Sequence, residues 1–154
     1  MSSTLTDIDV QNDFLQAFRG RFIGIMEWED LDQFWRALEQ HADKGWYIYA
    51  IGEAVPDSTV NADELKRFVK EIDELLHKEH EEEYCGIVYA DNKTNPEFIK
   101  IFDPNNLGVV CGFSDNPPLP GWILSLIPPV DLKDTSILPG NRRRWWQRLW
   151  KQAS

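Results

Sequence analysis

The sequence predicts an α+β fold: a mixed, largely antiparallel sheet of about five strands, with helices packed on it. Between residues 84 and 113, three short apolar runs are separated by two clusters of turn-forming residues, a pattern typical of a β-meander. Before the meander, helical stripes and short β-type runs alternate in the order α-β-α-β-α-β. Apolar residues make up 42% of the chain, which is typical of a globular protein.

The first half of the chain supplies four of these elements. Residues 4–18 carry a partly apolar stripe with acidic residues near its start, where the helix dipole favours them, and predict a short helix. Residues 21–26 predict a strand. A helix is expected from residue 29 or 30 to about 41, because its apolar residues recur at i, i+3, i+4 and i+7. Residues 46–52 are aromatic and β-branched and predict a second strand.

A long helix is predicted next, from an N-cap at Asn61 to about residue 81, because its apolar residues keep helical spacing over three turns. The meander runs are 84–90, 97–102 and 107–113. The simplest hairpin places Ala90 opposite Glu97. Neither face of this meander is polar, so we expect other parts of the protein to cover both faces over at least part of the sheet.

Two cysteines, Cys85 and Cys111, fall on one predicted face of the meander, together with Lys100. The predicted positions of the two cysteines are roughly 16 Å apart, from a rise of ~3.3 Å per residue along a strand and ~4.8 Å between neighbouring strands. The Cα atoms of a disulfide lie within about 7 Å of each other. We therefore expect both thiols to stay reduced. Reduced thiols and an N-terminal sequence without signal-peptide features predict a cytoplasmic protein.

The chain divides by composition into a single α+β domain at 1–135 and a basic, Trp-rich helix or tail at 136–154. The prolines that flank residues 122–127 predict a short irregular or single-turn piece there. Its large apolar side chains either cover a face of the sheet or form a patch for a partner. No apolar run approaches the ~18 residues of a membrane span.

The charge is unevenly distributed. The net charge is 16 − 26 = −10, yet residues 142–151 hold five basic residues and no acidic one, which leaves −15 on the rest of the chain. A body this acidic repels phosphate backbones, so nucleic-acid binding by the folded body is not expected.

The basic tail forms an amphipathic pattern. At about 100° per residue, a helix places the aromatic residues Trp145, Trp146 and Trp150 on one side, together with Leu149. Arg142, Arg143 and Arg144 would lie at its N-terminal end, where the dipole disfavours cations. An anionic partner should therefore meet them, and three remain open: the chain's own acidic helix end near 79–83, another protein, or an anionic membrane surface.

Lys100 is the residue that most clearly breaks the apolar pattern, because it falls on the most aromatic face of the meander. It is interpreted as a lysine with a packed stem and a solvated amine, as an anion-binding or catalytic lysine, or as the sign of a β-bulge. A ligand site would combine it with Tyr89, Asp91 and Asp115. The two aspartates follow strands that point the same way, although Asp-Asn is also ordinary turn chemistry.

Other residues give weaker indications of chemistry. His77 and His80 are three residues apart, but a zinc site needs further ligands, and no metal site or cofactor is predicted. Cys111 has no histidine near it in sequence, so a thiol enzyme is not favoured. The sequence leans towards a protein that is not an enzyme.

The first functional hypothesis is therefore a small, soluble, non-catalytic protein with an accessory or regulatory role. It would bind another protein, or a second copy of itself, through residues 117–130 and the Arg/Trp tail. Tryptophan and arginine are frequent in binding hot spots. The residues concerned are Trp122, Arg142, Arg143, Arg144, Trp145, Trp146, Arg148 and Trp150. The alternatives are the ligand or enzyme site around Lys100 and peripheral membrane association through the tail.

Overall fold

The computed structural model describes residues 13–104, 119–132, 145, 146 and 148–150. Five strands form one antiparallel sheet in the order β1-β3-β4-β5-β2. Helices lie alongside the sheet, which confirms the α+β prediction. In chain order the elements are α1 (helical residues 13–18), β1 (Ile23–Ile25), α2 (Trp28–Glu39), β2 (Tyr47–Ala50), α3 (Ala62–Glu79), β3 (Val88–Ala90), β4 (Phe98–Ile101), β5 (Trp122–Ser125) and α4 (helical residues within 145–150).

The long helix α3 begins where the sequence predicts. The Asn61 side chain accepts a hydrogen bond from the Glu64 amide at 2.8 Å, and the Glu64 side chain accepts one from the Asn61 amide at 2.9 Å. This capping box satisfies two of the amide groups that a helix start leaves without partners. By contrast, α2 begins at Trp28, earlier than predicted, with Glu27 as an N-cap that makes no side-chain hydrogen bond.

The predicted pairing of β3 with β4 is correct in direction, but its register is two residues out. Ala90 lies opposite Ile99 rather than Glu97. The connecting loop is longer than the simplest hairpin because Asp91 Oδ1 accepts hydrogen bonds from the amides of Glu97 at 3.0 Å and Phe98 at 3.2 Å. An even shift preserves the faces, since side chains alternate with period two.

The prediction of an irregular piece at 122–127 is wrong. Residues Trp122–Ser125 form β5, which lies between β4 and β2 and is buried at all four positions. The flanking prolines fall outside the paired segment, so they remove no hydrogen bond from the ladder. The predicted third meander strand at 107–113 lies outside the described residues.

Both faces of the sheet are covered, as predicted. Helices α2, α3 and α4 cover one, here called the three-helix face, against residues such as Ile99, Ile101 and Leu124. The opposite face, here called the α1 face, holds Phe14 of α1. Around it lie Tyr49, Phe98, Ile123 and the partly buried Phe18, Phe22, Leu119, Ile127, Val130 and Leu132. The side chains of β5 alternate between the two faces.

Cys85 is not on the face that the sequence predicts. It lies in the core of the three-helix face with Ile87, whereas Lys100 points to the α1 face. Ile87 and Val88 are neighbours in the chain and both lie in that core, so the period-two alternation breaks between them, where β3 begins. Cys85 is a free thiol, and burial raises its pKa. Cys111 lies outside the described residues.

None of the helices in the described part of the chain combines the length and the apolar character that crossing a membrane requires.

Candidate functional site

A groove between α3 and α4 brings charged and aromatic residues together. Its volume is about 350 Å³. The α3 side contributes residues at i, i+3, i+4, i+7 and i+8, which lie on one side of that helix. Helix α4 contributes an aromatic and a basic residue. The lining residues are Glu71, Glu74, Leu75, Lys78, Glu79, Trp145 and Arg148.

The groove exists because α4 packs on α3. The rings of Trp145 and Trp146 each lie 6.4 Å from the ring of Phe68, edge to face. Trp145 also lies 5.7 Å from Trp122 of β5. Leu149 is only 3% exposed and belongs to the core of the three-helix face. The aromatic side of the tail helix is therefore turned towards its own domain.

The charges of the groove are mixed but predominantly acidic. Three glutamates line it, against one lysine and one arginine. Leu75 and Trp145 supply an apolar surface between them. Past the end of α3, the exposed residues 81–83 add three further carboxylates. This arrangement suits a segment that carries both basic and apolar side chains.

The structure separates the residues that the sequence predicts for partner binding. Trp145 and Arg148 line the groove, and Trp150 packs against Trp146 with ring centroids 5.2 Å apart. Trp122 is 2% exposed inside the core, so the segment 117–130 does not present it on the surface. Arg142, Arg143 and Arg144 lie outside the described residues.

Lys100 has its own set of contacts, away from the groove. Its Nζ donates a hydrogen bond to the Phe18 carbonyl at 2.6 Å and lies 4.1 Å from the ring centroids of both Phe18 and Phe22. The Phe18 carbonyl is one that the end of α1 leaves without a helical partner, and a cation is favourable there. Burial lowers the pKa of Lys100. No carboxylate within the described ranges forms an ion pair with it.

The other residues of the predicted ligand site do not converge on Lys100. Tyr89 lies directly opposite it across the β3–β4 pair, but its hydroxyl donates to the Gly86 carbonyl at 3.3 Å and its ring packs on Phe102. Asp91 closes the hairpin, and Asp115 lies outside the described residues. The β-bulge interpretation is wrong, because Tyr89 and its neighbours pair with β4 without an extra residue. Lys100 joins α1 to the sheet.

A cluster that sequence reasoning missed lies between α2 and α3. Asp32, Asp73 and His77 each place one potential ligand atom within 4.8 Å of the others. The i,i+4 spacing of Asp73 and His77 was visible in the sequence, but nothing in the pattern pairs Asp32 with them. His80, considered there as the neighbour of His77, instead places Nε2 2.8 Å from the Cys85 carbonyl.

No protein-family model, no curated protein and no solved structure matches this chain.

Proposed function

We propose that this protein is non-catalytic and acts by binding another protein through the groove between α3 and α4. The partner would contribute a segment with lysine or arginine side chains beside an apolar residue. The observation that carries this proposal is the groove itself, in which Trp145 and Leu75 lie among Glu71, Glu74 and Glu79. The role would be accessory or regulatory, and the location cytoplasmic.

Charge complementarity supports a basic partner. The chain carries a net charge of −10, and the exposed acids at 81–83 extend the acidic surface beyond α3. Such a field speeds association with a basic segment and disfavours acidic ones. Arg148 at the groove wall would pair with a carboxylate of the partner and fix its orientation.

Trp145 supports the role of the groove as the centre of an interface. It is half-buried against Phe68 and Trp122, so its indole is held in place before a partner arrives. A rigid aromatic side chain loses little conformational entropy on binding, which is one reason that tryptophan is frequent in hot spots.

The two alternative functions have less support. The apolar side of α4 faces α3, so membrane association would require α4 to leave the core to which Leu149 belongs. The Lys100 amine is already satisfied by the Phe18 carbonyl and two rings. Flotation with anionic liposomes tests the first alternative: recovery of the full chain with lipid would favour it over the groove.

The experiment that tests the proposal begins with a photo-cross-linking residue placed at Lys78, inside the groove. A matched control places the same residue at Lys93, which is exposed in the β3–β4 loop. We expect a protein adduct in cells from position 78 and not from position 93. Equal cross-linking from both positions would contradict the proposal.

The partner identified in this way is then purified and its affinity measured. The double substitution Glu71→Lys with Glu74→Lys should weaken binding at least tenfold, since it inverts the charge of the α3 wall. Glu39→Lys with Asp57→Lys makes the same change in net charge at exposed positions outside the groove and should have little effect. If both double variants bind the partner equally weakly, the affinity depends on net charge alone, and the groove is not the binding site.

Deletion of the tail is a poorer test. Removing α4 takes Leu149 out of the core together with three tryptophans that pack against it, so a loss of binding would follow from a loss of stability as readily as from a lost contact. Substitutions on the α3 wall avoid this ambiguity.

A further inference from the structure

We propose that Asp32, Asp73 and His77 form a binding site for a divalent transition-metal ion of the zinc type. The three side chains come from two helices that pack against each other, α2 and α3. They contribute one imidazole nitrogen and two carboxylates, so the set is not simply a group of acids. The inference does not rest on the proposed protein-binding groove, whose lining residues are different.

The spacing of the donor atoms fits a metal. His77 Nε2 and Asp73 Oδ1 are 3.4 Å apart. Two ligands bound tetrahedrally at Zn–N and Zn–O distances of ~2.0–2.1 Å are separated by about 3.4 Å. Asp73 and His77 are one helical turn apart on α3, which places them on the same side of that helix. Asp32 approaches from α2, so that all three donors lie within 4.8 Å of one another.

Two tryptophans outside the donor set hold the ligands in place. Trp35 Nε1 donates a hydrogen bond to Asp73 Oδ1 at 3.0 Å. The ring of Trp28 stacks on His77, with centroids 4.3 Å apart and planes at 29°. Trp28 is itself fixed by a hydrogen bond from Nε1 to the Glu82 carbonyl at 3.0 Å. Outer contacts of this kind orient ligands and raise metal affinity.

The electrostatics of the cluster also favour a cation. In the described part of the chain, neither Asp32 nor Asp73 forms an ion pair with a lysine or arginine. Among the described residues, His77 is the basic side chain that pairs with Asp73, at 3.4 Å. A bound divalent ion would offset both negative charges and link α2 to α3.

The donor set also defines the class of ion. An imidazole nitrogen favours zinc and similar transition metals over magnesium and calcium, which prefer all-oxygen sites. Three protein ligands leave further coordination positions for water, because Asp32 and His77 are exposed. The structure therefore assigns an open, solvent-accessible site of moderate affinity.

The test is a titration of the purified full chain with Zn²⁺, in which calorimetry measures the binding. We expect one ion to bind per chain, and Asp32→Asn and His77→Gln each to weaken binding at least tenfold. His41→Gln is the matched control, because it removes a histidine outside the cluster and should bind as the wild type does. Circular dichroism without metal checks that each variant is folded.

A second measurement uses Co²⁺ and Cu²⁺ as probes. Since Trp28 and Trp35 contact the ligands, Cu²⁺ should quench part of the tryptophan fluorescence in the wild type and in His41→Gln, and much less in His77→Gln. Co²⁺ should give the visible absorption of a nitrogen- and oxygen-ligated ion. The proposal is overturned if Zn²⁺ does not saturate, if Asp32→Asn and His77→Gln bind as tightly as wild type, or if Mg²⁺ binds equally well.

Discussion

The two faces of the sheet are covered in different ways. On the three-helix face, two long amphipathic helices, α2 and α3, supply most of the cover, and α4 adds an aromatic cluster. The α1 face is covered by helical residues 13–18 and by chain segments around 119 and 127–132. A lysine lies among the aromatic rings of this cover.

This difference shows how the two covers are encoded. Both long helices carry a repeated apolar stripe, and α3 also carries a capping box, so local sequence indicates where they form. A cover made of short pieces depends on contacts between residues far apart in sequence, such as the hydrogen bond from Lys100 to Phe18. We therefore expect substitutions on the three-helix face to act on global stability, and those on the α1 face to act more locally.

The largest effect is expected for Phe68→Ala, at the centre of the three-helix face. Phe68 is fully buried and contacts both Trp145 and Trp146. Its truncation should lower the free energy of unfolding by about 3–5 kcal/mol, from the lost transfer free energy and the cavity. Chemical denaturation followed by fluorescence measures this. Tyr84→Ala, at a half-exposed position, is the control. If Phe68→Ala lowers the free energy of unfolding by less than about 1 kcal/mol, α4 and α3 can repack around the smaller side chain.

Leu149→Ala tests whether α4 belongs to this core. Leu149 is 3% exposed, so its truncation should cost about 2–4 kcal/mol. An independent tail, separated from the domain at residue 135 as the composition suggests, would leave the denaturation midpoint unchanged. The boundary itself lies outside the described residues.

Lys100→Met probes the α1 face. It leaves the Phe18 carbonyl without its partner and removes two cation–π contacts, so we expect a loss of about 1–2 kcal/mol at neutral pH. Hydrogen exchange should increase first in α1 rather than in α3, because only the local cover is weakened.

The same variant should have a pH dependence whose sign follows from the burial of Lys100. Burial lowers the pKa of Lys100 below its usual 10.5, so the unfolded chain binds the proton more tightly than the folded one. The contribution of this group to stability therefore increases as pH rises from the folded pKa towards the unfolded value. The stability difference between wild type and Lys100→Met should widen in that range, and a difference that narrows would contradict the assigned cause.

The smallest effect is expected for Asn61→Ala, which removes half of the capping box of α3. The loss should be about 1 kcal/mol, as is usual for an N-cap residue. Asn61→Asp keeps an acceptor at the same position and should restore most of that stability. If Asn61→Ala costs nothing, the start of α3 is determined by packing rather than by its cap.

Sequence patterns predicted the elements whose signals are local. The apolar spacing of α2 and α3 and the turn residues around Asp91 are readable without knowing the fold. The register of β3 with β4 was not readable, because the bonds from Asp91 Oδ1 to Glu97 and Phe98 lengthen the hairpin. β5 was missed because prolines near both ends suggested an interruption, whereas they fall just outside the paired residues.

The sites were harder to predict than the elements. The environment of Lys100 depends on Phe18 of α1, which is 82 positions away in the chain. Period-two alternation predicted which face of the sheet Lys100 lies on, but not the residues that contact it there. Asp32 meets Asp73 and His77 only because α2 packs on α3, and a single sequence contains no signal for that pairing. The prediction of Trp122 as a surface residue depended on the same missed strand.

The position of β5 has a consequence for how the chain is made. It lies between β4 and β2 in the sheet. Strands β1, β3 and β4 therefore cannot join β2 in one sheet until residue 125 has been synthesised. Before that moment, nascent chains expose two unfilled strand edges beside apolar side chains. Long-range pairing of this kind slows folding and invites aggregation, so this protein should be most in need of chaperones late in translation.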